Sequence, residues 1–163
     1  MTRRSIRWLA VLGAIAIGSM GAVSAQSPQA RKSTTQPVAH PFAQALVDKT
    51  LAAHPETDEI GISVQSGRRC TVVASTDKSD VGETCEADDR APISTGKPHV
   101  GKEAGEFDVS VPLHDKTDAA VGALTVRFKK AASQTNASVT DAARAIAKEM
   151  ADQIASKAAL VGR

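Results

Sequence analysis

Polar side chains suited to binding a small molecule occur on the stretch from Glu106 to Phe128. Apolar and polar residues alternate along it, which predicts two β-strands joined by a turn over 115–118. A tight turn at that point places Asp108 opposite Thr125 and diagonal to Arg127. A carboxylate, a hydroxyl and a guanidinium arranged in this way could hold a carboxylate or a zwitterion, because a guanidinium offers a planar pair of donors.

A ligand site on this face needs a further wall, and the segment 76–102 is the part of the chain that could supply it. By folding over the polar face, this segment would bring Arg90 and His99 near the other three side chains. The same pattern has a plainer interpretation, in which Glu106 lies opposite Arg127 and the two form an exposed ion pair. Such pairs contribute little to stability, so a binding site and a solvated sheet face both remain open.

Four histidines raise the question of a metal or haem site. His40 and His54 fall in a linker and at a helix end, whereas His99 and His114 lie on separate predicted strands. The chain also lacks the Gly-x-Ser-x-Gly, His-Glu-x-x-His and Gly-x-Gly-x-x-Gly patterns of common catalytic and nucleotide sites. We therefore predict no metal, no cofactor and no catalysis. An enzyme or haem protein that uses the histidines is the third alternative.

Cys70 and Cys85 are the two cysteines of the chain. In an exported protein such a pair favours a disulfide, which would close a loop of about 15 residues. Free thiols and a redox or metal pair are the alternatives. The sequence has no Cys-x-x-Cys motif and no histidine at ligand spacing from either thiol, so a disulfide is the prediction.

Residues 1–25 have the pattern of a secretory signal peptide, with three arginines, an apolar run and small residues before a cleavage point after Ala25. An uncleaved anchor is the alternative, and a twin-arginine signal is a weaker match. Cleavage changes the formal charge from +2 to −1, because it removes three arginines and no acids. The basicity therefore gives no support for nucleic-acid binding, and the expected location is the periplasm or the exterior.

The remainder divides into a polar linker over 26–39 and one domain over 40–160. The hydrophobic patterns predict a helix, two strands, a short helix, three strands and a final helix. The predicted spans are 41–54, 59–65, 69–75, 83–90, 99–102, 106–114, 119–128 and a helix from Ser138, whose cap resembles a capping box with Asp141. This order favours an α+β fold with an antiparallel five-stranded sheet between N- and C-terminal helices.

Three strings in this order resemble the Cache domains, which are PAS-like extracytoplasmic sensors. The strings are VVASTDKSDVGETCE (72–86), STGKPHVGKE (94–103) and VSVPLHDKTDAAVGALTVRF (109–128). The resemblance implies a PAS/Cache-like sheet and the binding of small molecules such as carboxylates or amino acids. It covers about residues 40–130 and carries no catalytic residues. Cache receptors continue into a membrane span, so this chain resembles a free-standing form without a membrane segment after signal cleavage.

Two functions follow from these patterns. The first is an exported, non-catalytic domain that binds a small molecule and acts in sensing. The second is a periplasmic adaptor or structural protein that docks on an envelope partner without a small ligand, or forms a homodimer, through its C-terminal helix. The second requires an exposed apolar stripe through Ile146, Met150 and Ile154. Packing of that stripe against the sheet is the competing expectation.

Overall fold

The computed structural model describes residues 40–103 and 105–162. The predicted signal peptide (1–25) and linker (26–39) lie outside these residues. Five strands form one antiparallel sheet in the order β2-β1-β5-β4-β3. The elements are α1 (Pro41–Ala53), β1 (Thr57–Ser66), β2 (Arg69–Ser75), α2 (Ala87–Thr95), β3 (His99–Glu103), β4 (Glu106–His114), β5 (Ala120–Phe128), α3 (Asn136–Ala151) and α4 (Lys157–Leu160). The predicted α+β fold with flanking helices is confirmed.

The sheet has one apolar and one polar face because side chains alternate along each strand. The apolar residues of β4 and β5 pack with those of α1 and α3 in a single core. Burial of aliphatic side chains on this scale is the main force that holds a domain of this size together. The second face carries the polar residues of the same strands, and α2 lies against it. The sheet therefore presents its polar face to α2 and to the loop that precedes α2.

The hairpin between β4 and β5 keeps the predicted faces but not the predicted register. The prediction placed Asp108 opposite Thr125, whereas Asp108 pairs with Arg127 and Ser110 pairs with Thr125. The difference is two residues. Because strand side chains alternate with period two, a shift of two leaves the side chains from Gly122 to Phe128 on their expected faces. At the start of β5 the expectation was wrong, since Val121 is buried in the core and Ala120 is exposed.

Two local features of the hairpin cause this shift. The loop contains five residues, 115–119, instead of four, because His114 pairs with Ala120. Asp115 Oδ1 closes the loop by accepting hydrogen bonds from the N–H groups of Thr117 (2.8 Å) and Ala119 (3.2 Å). Val121 then forms a bulge, since its two neighbours pair with consecutive residues of β4. The longer loop and the bulge each contribute one residue.

The short helix before β3 begins and ends later than the predicted 83–90. It spans Ala87–Thr95, and Gly96 ends it in the left-handed region with φ of 68°. Residues 82–85 pair with the edge of β2 instead of forming the first helical turn. The acidic and polar residues before Ala87 therefore belong to a covering loop.

The cap of α3 also differs from the prediction. Thr135 is the N-cap, and Ser138 occupies the third helical position instead of the cap itself. The Thr135 N–H donates to Ser138 Oγ at 2.9 Å, and the Ser138 N–H donates to Thr135 Oγ1 at 3.1 Å. This reciprocal pair satisfies two N–H groups at the start of the helix, and Asp141 takes no part in it.

The apolar stripe of α3 is buried within the domain. Ile146, Met150 and Ile154 are 1%, 0% and 0% exposed and belong to the core beneath the sheet. The helix ends at Ala151, so Ile154 reaches the core from the turn that follows. The exposed stripe that the adaptor function required is therefore contradicted, and packing against the sheet is confirmed. A homodimer or an envelope partner at this helix would have to use its polar side.

Candidate functional site

A row of three charged side chains crosses the polar face from β1 through β5 to β4. Arg127, in the middle, donates from Nη1 to Glu59 Oε2 at 2.8 Å and from Nη2 to Asp108 Oδ2 at 3.3 Å. All three side chains are partly shielded, with exposed fractions of 33%, 22% and 24% for Arg127, Glu59 and Asp108. The guanidinium is thus already engaged by carboxylates of the protein on both sides.

A second row, two residues further along the strands and on the same face, carries hydroxyl groups. Thr125 Oγ1 donates to Asp89 Oδ1 of α2 at 2.6 Å and lies 2.9 Å from Ser110 Oγ. Because the Thr125 hydroxyl has a single hydrogen, Ser110 is the donor in the second contact. This chain of hydrogen bonds fixes α2 over the sheet. It also leaves the charged row and the hydroxyl row side by side.

A covering segment, residues 76–86, borders the same face and is fixed at both ends. At its start, Thr76 N–H donates to the Ile60 carbonyl at 2.9 Å, and the Ile60 N–H donates back to Thr76 Oγ1 at 3.0 Å. At its end, residues 82–85 pair with the edge of β2, and a disulfide joins Cys85 to Cys70. Both sulfur-bearing residues are buried. The predicted disulfide is present, and its role is to hold the covering segment on β2.

The sheet, the covering segment and α2 enclose a cavity of about 350 Å³. This volume lies in the range of small-molecule sites. Gly61 forms part of its floor, where the missing side chain leaves space, since an added Cβ would lie 3.8 Å from its nearest neighbour, the Ala74 carbonyl oxygen. Gly101 contributes a second stretch of bare backbone. The cavity therefore exists partly because two of its residues are glycines.

The lining of this cavity is strongly acidic. Two residues with cationic side chains, Lys102 and Arg127, line it, and Lys102 Nζ lies 4.3 Å from the centre of the Phe107 ring. Against them stand seven carboxylates, contributed by two strands (β1 and β4), the covering segment and α2. These are Glu59, Asp80, Glu83, Glu86, Asp88, Asp89 and Asp108. With Arg127 held between two of the carboxylates, the site has an excess of negative charge.

Glu59 is the carboxyl group that this excess affects most. Burial, the largest cause, raises its pKa from 4.5 to about 7, although the Arg127 guanidinium acts in the opposite direction. A hydrogen bond with Asp80 and the charges of Asp80 and Asp108 raise the pKa further. Near neutral pH, Glu59 is therefore divided between its protonated and ionised forms.

Three of the five predicted ligand-binding residues meet in this cavity. Asp108, Thr125 and Arg127 line it. Arg90 is exposed on α2, outside the lining. His99 pairs with Ser110 across β3 and β4, and its Nδ1 lies 3.5 Å from Asp88 Oδ2, at the border of the lining.

The plainer interpretation of Arg127 needs a correction as well. The expected Glu106–Arg127 pair does not form, because the register places Asp108 opposite Arg127. Arg127 contacts Glu59 on the other neighbouring strand instead. The resulting network of three charges is half-buried, unlike the isolated surface pair that was expected.

Glu59, Asp80 and Asp89 are site residues that the sequence analysis did not identify. Glu59 lies 68 residues before its partner Arg127. Strand pairing over such a distance is set by the whole sheet, and no local pattern reports it. One usable signal was the alternation of Glu59 with Ile60 along β1, which already assigns Glu59 to the polar face.

Among residues 40–103 and 105–162, no group of three or more His, Cys, Asp and Glu side chains has the arrangement needed to hold a metal ion. Within the same ranges, no helix has the length and apolar character to cross a membrane.

Comparisons with known proteins show the fold. No family model and no curated protein matches the sequence. A protein from Burkholderia vietnamiensis described as a GAF sensor matches with a TM-score of 0.55 and 15% identity, over 76% of this chain and 81% of that one. The GAF domain of an Acinetobacter phosphoenolpyruvate-protein phosphotransferase matches with a TM-score of 0.51 and 16% identity, over 76% and 80%. The chain thus has the fold of GAF/PAS-like domains, while the Cache type stays a prediction.

Proposed function

We propose that this protein is a non-catalytic sensing domain that binds a small organic molecule carrying a protonated amine in the cavity on its polar sheet face. The observation that carries the proposal is the lining of that cavity, in which seven carboxylates face two cationic residues. A volume of about 350 Å³ accommodates an organic molecule and exceeds the space that a single ion requires.

The charge distribution favours an amine over the carboxylate of our sequence-based expectation. A carboxylate ligand would need a cation, but Arg127 already contacts Glu59 and Asp108, and Lys102 Nζ lies against the ring of the core residue Phe107. It would also have to approach an excess of like charges in a partly shielded site, which is unfavourable. An ammonium group meets the opposite situation, because it can donate three hydrogen bonds to the surrounding carboxylates. An amino acid would therefore bind chiefly through its ammonium group.

Export of the protein is part of the proposal. The leader-like pattern of residues 1–25 motivates it, and a buried disulfide that fixes the covering segment is compatible with an oxidising compartment. In that setting the domain would sample solutes outside the cytoplasm. It would signal through a partner that recognises the ligand-bound form, and the polar side of α3 is available for such a contact.

A thermal-shift screen with a matched filling variant tests the proposal. Purified protein is heated with primary amines and diamines, and in parallel with carboxylates of the same chain length, such as 1,4-diaminobutane against succinate. A ligand at 100 times its dissociation constant adds about 2.7 kcal/mol of stability. We expect stabilisation by at least one amine of the panel and by none of the matched carboxylates.

Gly61→Leu is the variant that separates binding in the cavity from binding elsewhere. Its side chain starts from an unobstructed position on the floor and fills the cavity, so it should abolish the shift while the protein remains folded. Ser66→Leu adds the same bulk at the exposed end of the same strand and should leave the shift unchanged. Stabilisation by the carboxylates, or equal stabilisation of Gly61→Leu and wild type, would contradict the proposal.

A further inference from the structure

His54, at the carboxyl end of α1, lies between two carboxylates that come from different parts of the fold. Its Nδ1 is 3.1 Å from Glu56 Oε1, in the turn before β1, and its Nε2 is 3.1 Å from Glu149 Oε2 on α3. An ionised carboxylate can only accept a hydrogen bond, so each of these contacts needs an N–H group on the ring. A neutral imidazole has one such group, whereas the imidazolium has two. The geometry is therefore that of the charged ring.

The backbone around His54 fixes the position of the ring. The His54 N–H donates to the Thr50 carbonyl at 3.1 Å, and the His54 carbonyl accepts from the N–H (3.0 Å) and the hydroxyl (2.7 Å) of the buried Thr57. The His54 side chain is 17% exposed, whereas the side chains of Glu56 and Glu149 are 50% and 62% exposed. When the contacts change, the carboxylates therefore move and the ring stays in place.

Two cations border the same junction, and both are engaged with other groups. Lys129, which follows β5, donates from Nζ to the Pro55 carbonyl at 2.7 Å and lies 3.9 Å from Asp58. Lys49, on α1, donates from Nζ to Gln153 Oε1 at 2.7 Å. Among the described residues, the charged groups in contact with the ring are thus the two carboxylates.

We propose that His54 is a proton-dependent bridge, which joins the end of α1 to α3 and to the turn before β1 while the ring is charged, and which gives up one of its two carboxylates when the proton leaves. The neutral ring keeps a single N–H, so it holds either Glu56 or Glu149 but not both. Its other nitrogen then presents a lone pair to a carboxylate oxygen, and that side chain turns into solvent. The apolar side of α3 stays in the core, so the change is confined to this junction.

Acid favours the bridge, and alkaline solution breaks it. Burial of the ring, the largest influence, favours the neutral form, but the hydrogen bonds and charges of Glu56 and Glu149 outweigh it and raise the pKa of His54 above its usual value of 6.5. The bridge therefore contributes its full stability below pH 6.5 and loses it as the pH rises through the raised pKa. A partner at the polar side of α3, which is part of the proposed function, would meet Glu149 bound in acid and free for part of the time in alkaline solution.

Nuclear magnetic resonance tests the bridge on His54 itself, without any ligand. The ring protons and nitrogens of the isotope-labelled protein are titrated across neutral pH, and the backbone amides are followed in the same samples. We expect the ring to titrate with a midpoint above 6.5, with both nitrogens protonated below it, and the Glu149 amide to follow the same midpoint. Glu56→Gln and Glu149→Gln should each lower the midpoint, because a neutral amide stabilises the charged ring less than a carboxylate does. Asp141→Asn, which removes a carboxylate of α3 about two turns away, should leave it unchanged.

A non-titrating variant separates the bridge from other effects of pH. In His54→Gln the response of the Glu149 amide across this pH range should disappear, and a persistent response would overturn the bridge. A wild-type midpoint at or below 6.5 would also overturn it, as would a midpoint that neither glutamine substitution lowers. Because these measurements use no ligand and concern the helix side of the sheet, such results would leave the amine-binding proposal standing.

Discussion

The disulfide between Cys70 and Cys85 offers the most quantitative prediction for this protein. It closes a loop of 15 residues, for which the chain-entropy model gives about 3 kcal/mol of stabilisation. Replacing both cysteines by alanine removes the cross-link without placing new polar groups in two positions that are 3% and 2% exposed. We expect the double variant to fold but to lose about 3 kcal/mol of unfolding free energy.

Urea denaturation followed by circular dichroism measures this loss. For a domain of this size, the dependence on urea is about 1–3 kcal/mol per molar, so the midpoint should fall by roughly 1–3 M. Wild-type protein unfolded in the presence of a dithiol reductant should show the same midpoint as the double variant, which serves as the control for side-chain effects. A change below about 0.5 kcal/mol would refute the reasoning, because it would mean that residues 76–86 are held in place without the cross-link.

Three further predictions concern single residues. Gly122→Ala should destabilise the protein by about 2–3 kcal/mol in urea titrations, because its Cβ would lie 2.3 Å from the Ser63 carbonyl oxygen, whereas Gly61→Ala should change stability by less than about 0.5 kcal/mol. The free energy of unfolding should fall as the pH rises from 4.5 to about 7, because Glu59 is harder to ionise in the folded protein. Since the Glu59 side chain is 22% exposed, solvent reduces the expected fall to about 1–2 kcal/mol. An equal fall in the Glu59→Gln variant would contradict the assignment of this effect to Glu59. Thr135→Ala should cost about 1 kcal/mol through loss of the cap of α3, and unchanged thermal stability would contradict the assigned cap.

The hairpin shows what the sequence determines about this fold and what it does not. Alternation of apolar and polar residues assigned the side chains of β4 and of β5 from Gly122 onward to the correct face, but it reversed Ala120 and Val121, which are exposed and buried in the core respectively. The same pattern left the register undetermined in steps of two residues, because each such step keeps the faces. Asp115 decided the register by forming a five-residue loop, and the bulge at Val121 arises from packing that the sequence does not state.

The candidate site was predictable on one hairpin and unpredictable beyond it. Asp108, Thr125 and Arg127 lie close in sequence and share a face, so local alternation was sufficient to bring them together. Glu59 and Asp89 reach the same cavity through the pairing of β1 with β5 and the docking of α2. Both arrangements depend on long-range packing. The proposed ligand therefore changed from a carboxylate to an amine, because the cavity has more carboxylates than the hairpin alone contributes.

The ends of the helices were also predicted only approximately, because local sequence does not determine them alone. Ser138 was a reasonable N-cap by residue type, but Thr135 precedes it by three residues and forms the better reciprocal pair. Residues 82–85 have no strong helical or strand pattern of their own. They pair with the open edge of β2, where the disulfide holds them, and α2 therefore begins only at Ala87.

The central claim is that the cavity on the polar face receives a protonated amine, and nuclear magnetic resonance tests it most directly. The 15N-labelled protein is titrated with the panel of primary amines and with the matched carboxylates, and backbone amide shifts are mapped. At least one amine should shift the amides of Glu59, Gly61 and Arg127 in a saturable way, and the carboxylates should not. Saturable shifts of these amides with carboxylates alone, or amine-induced shifts confined to the opposite face of the sheet, would contradict the account.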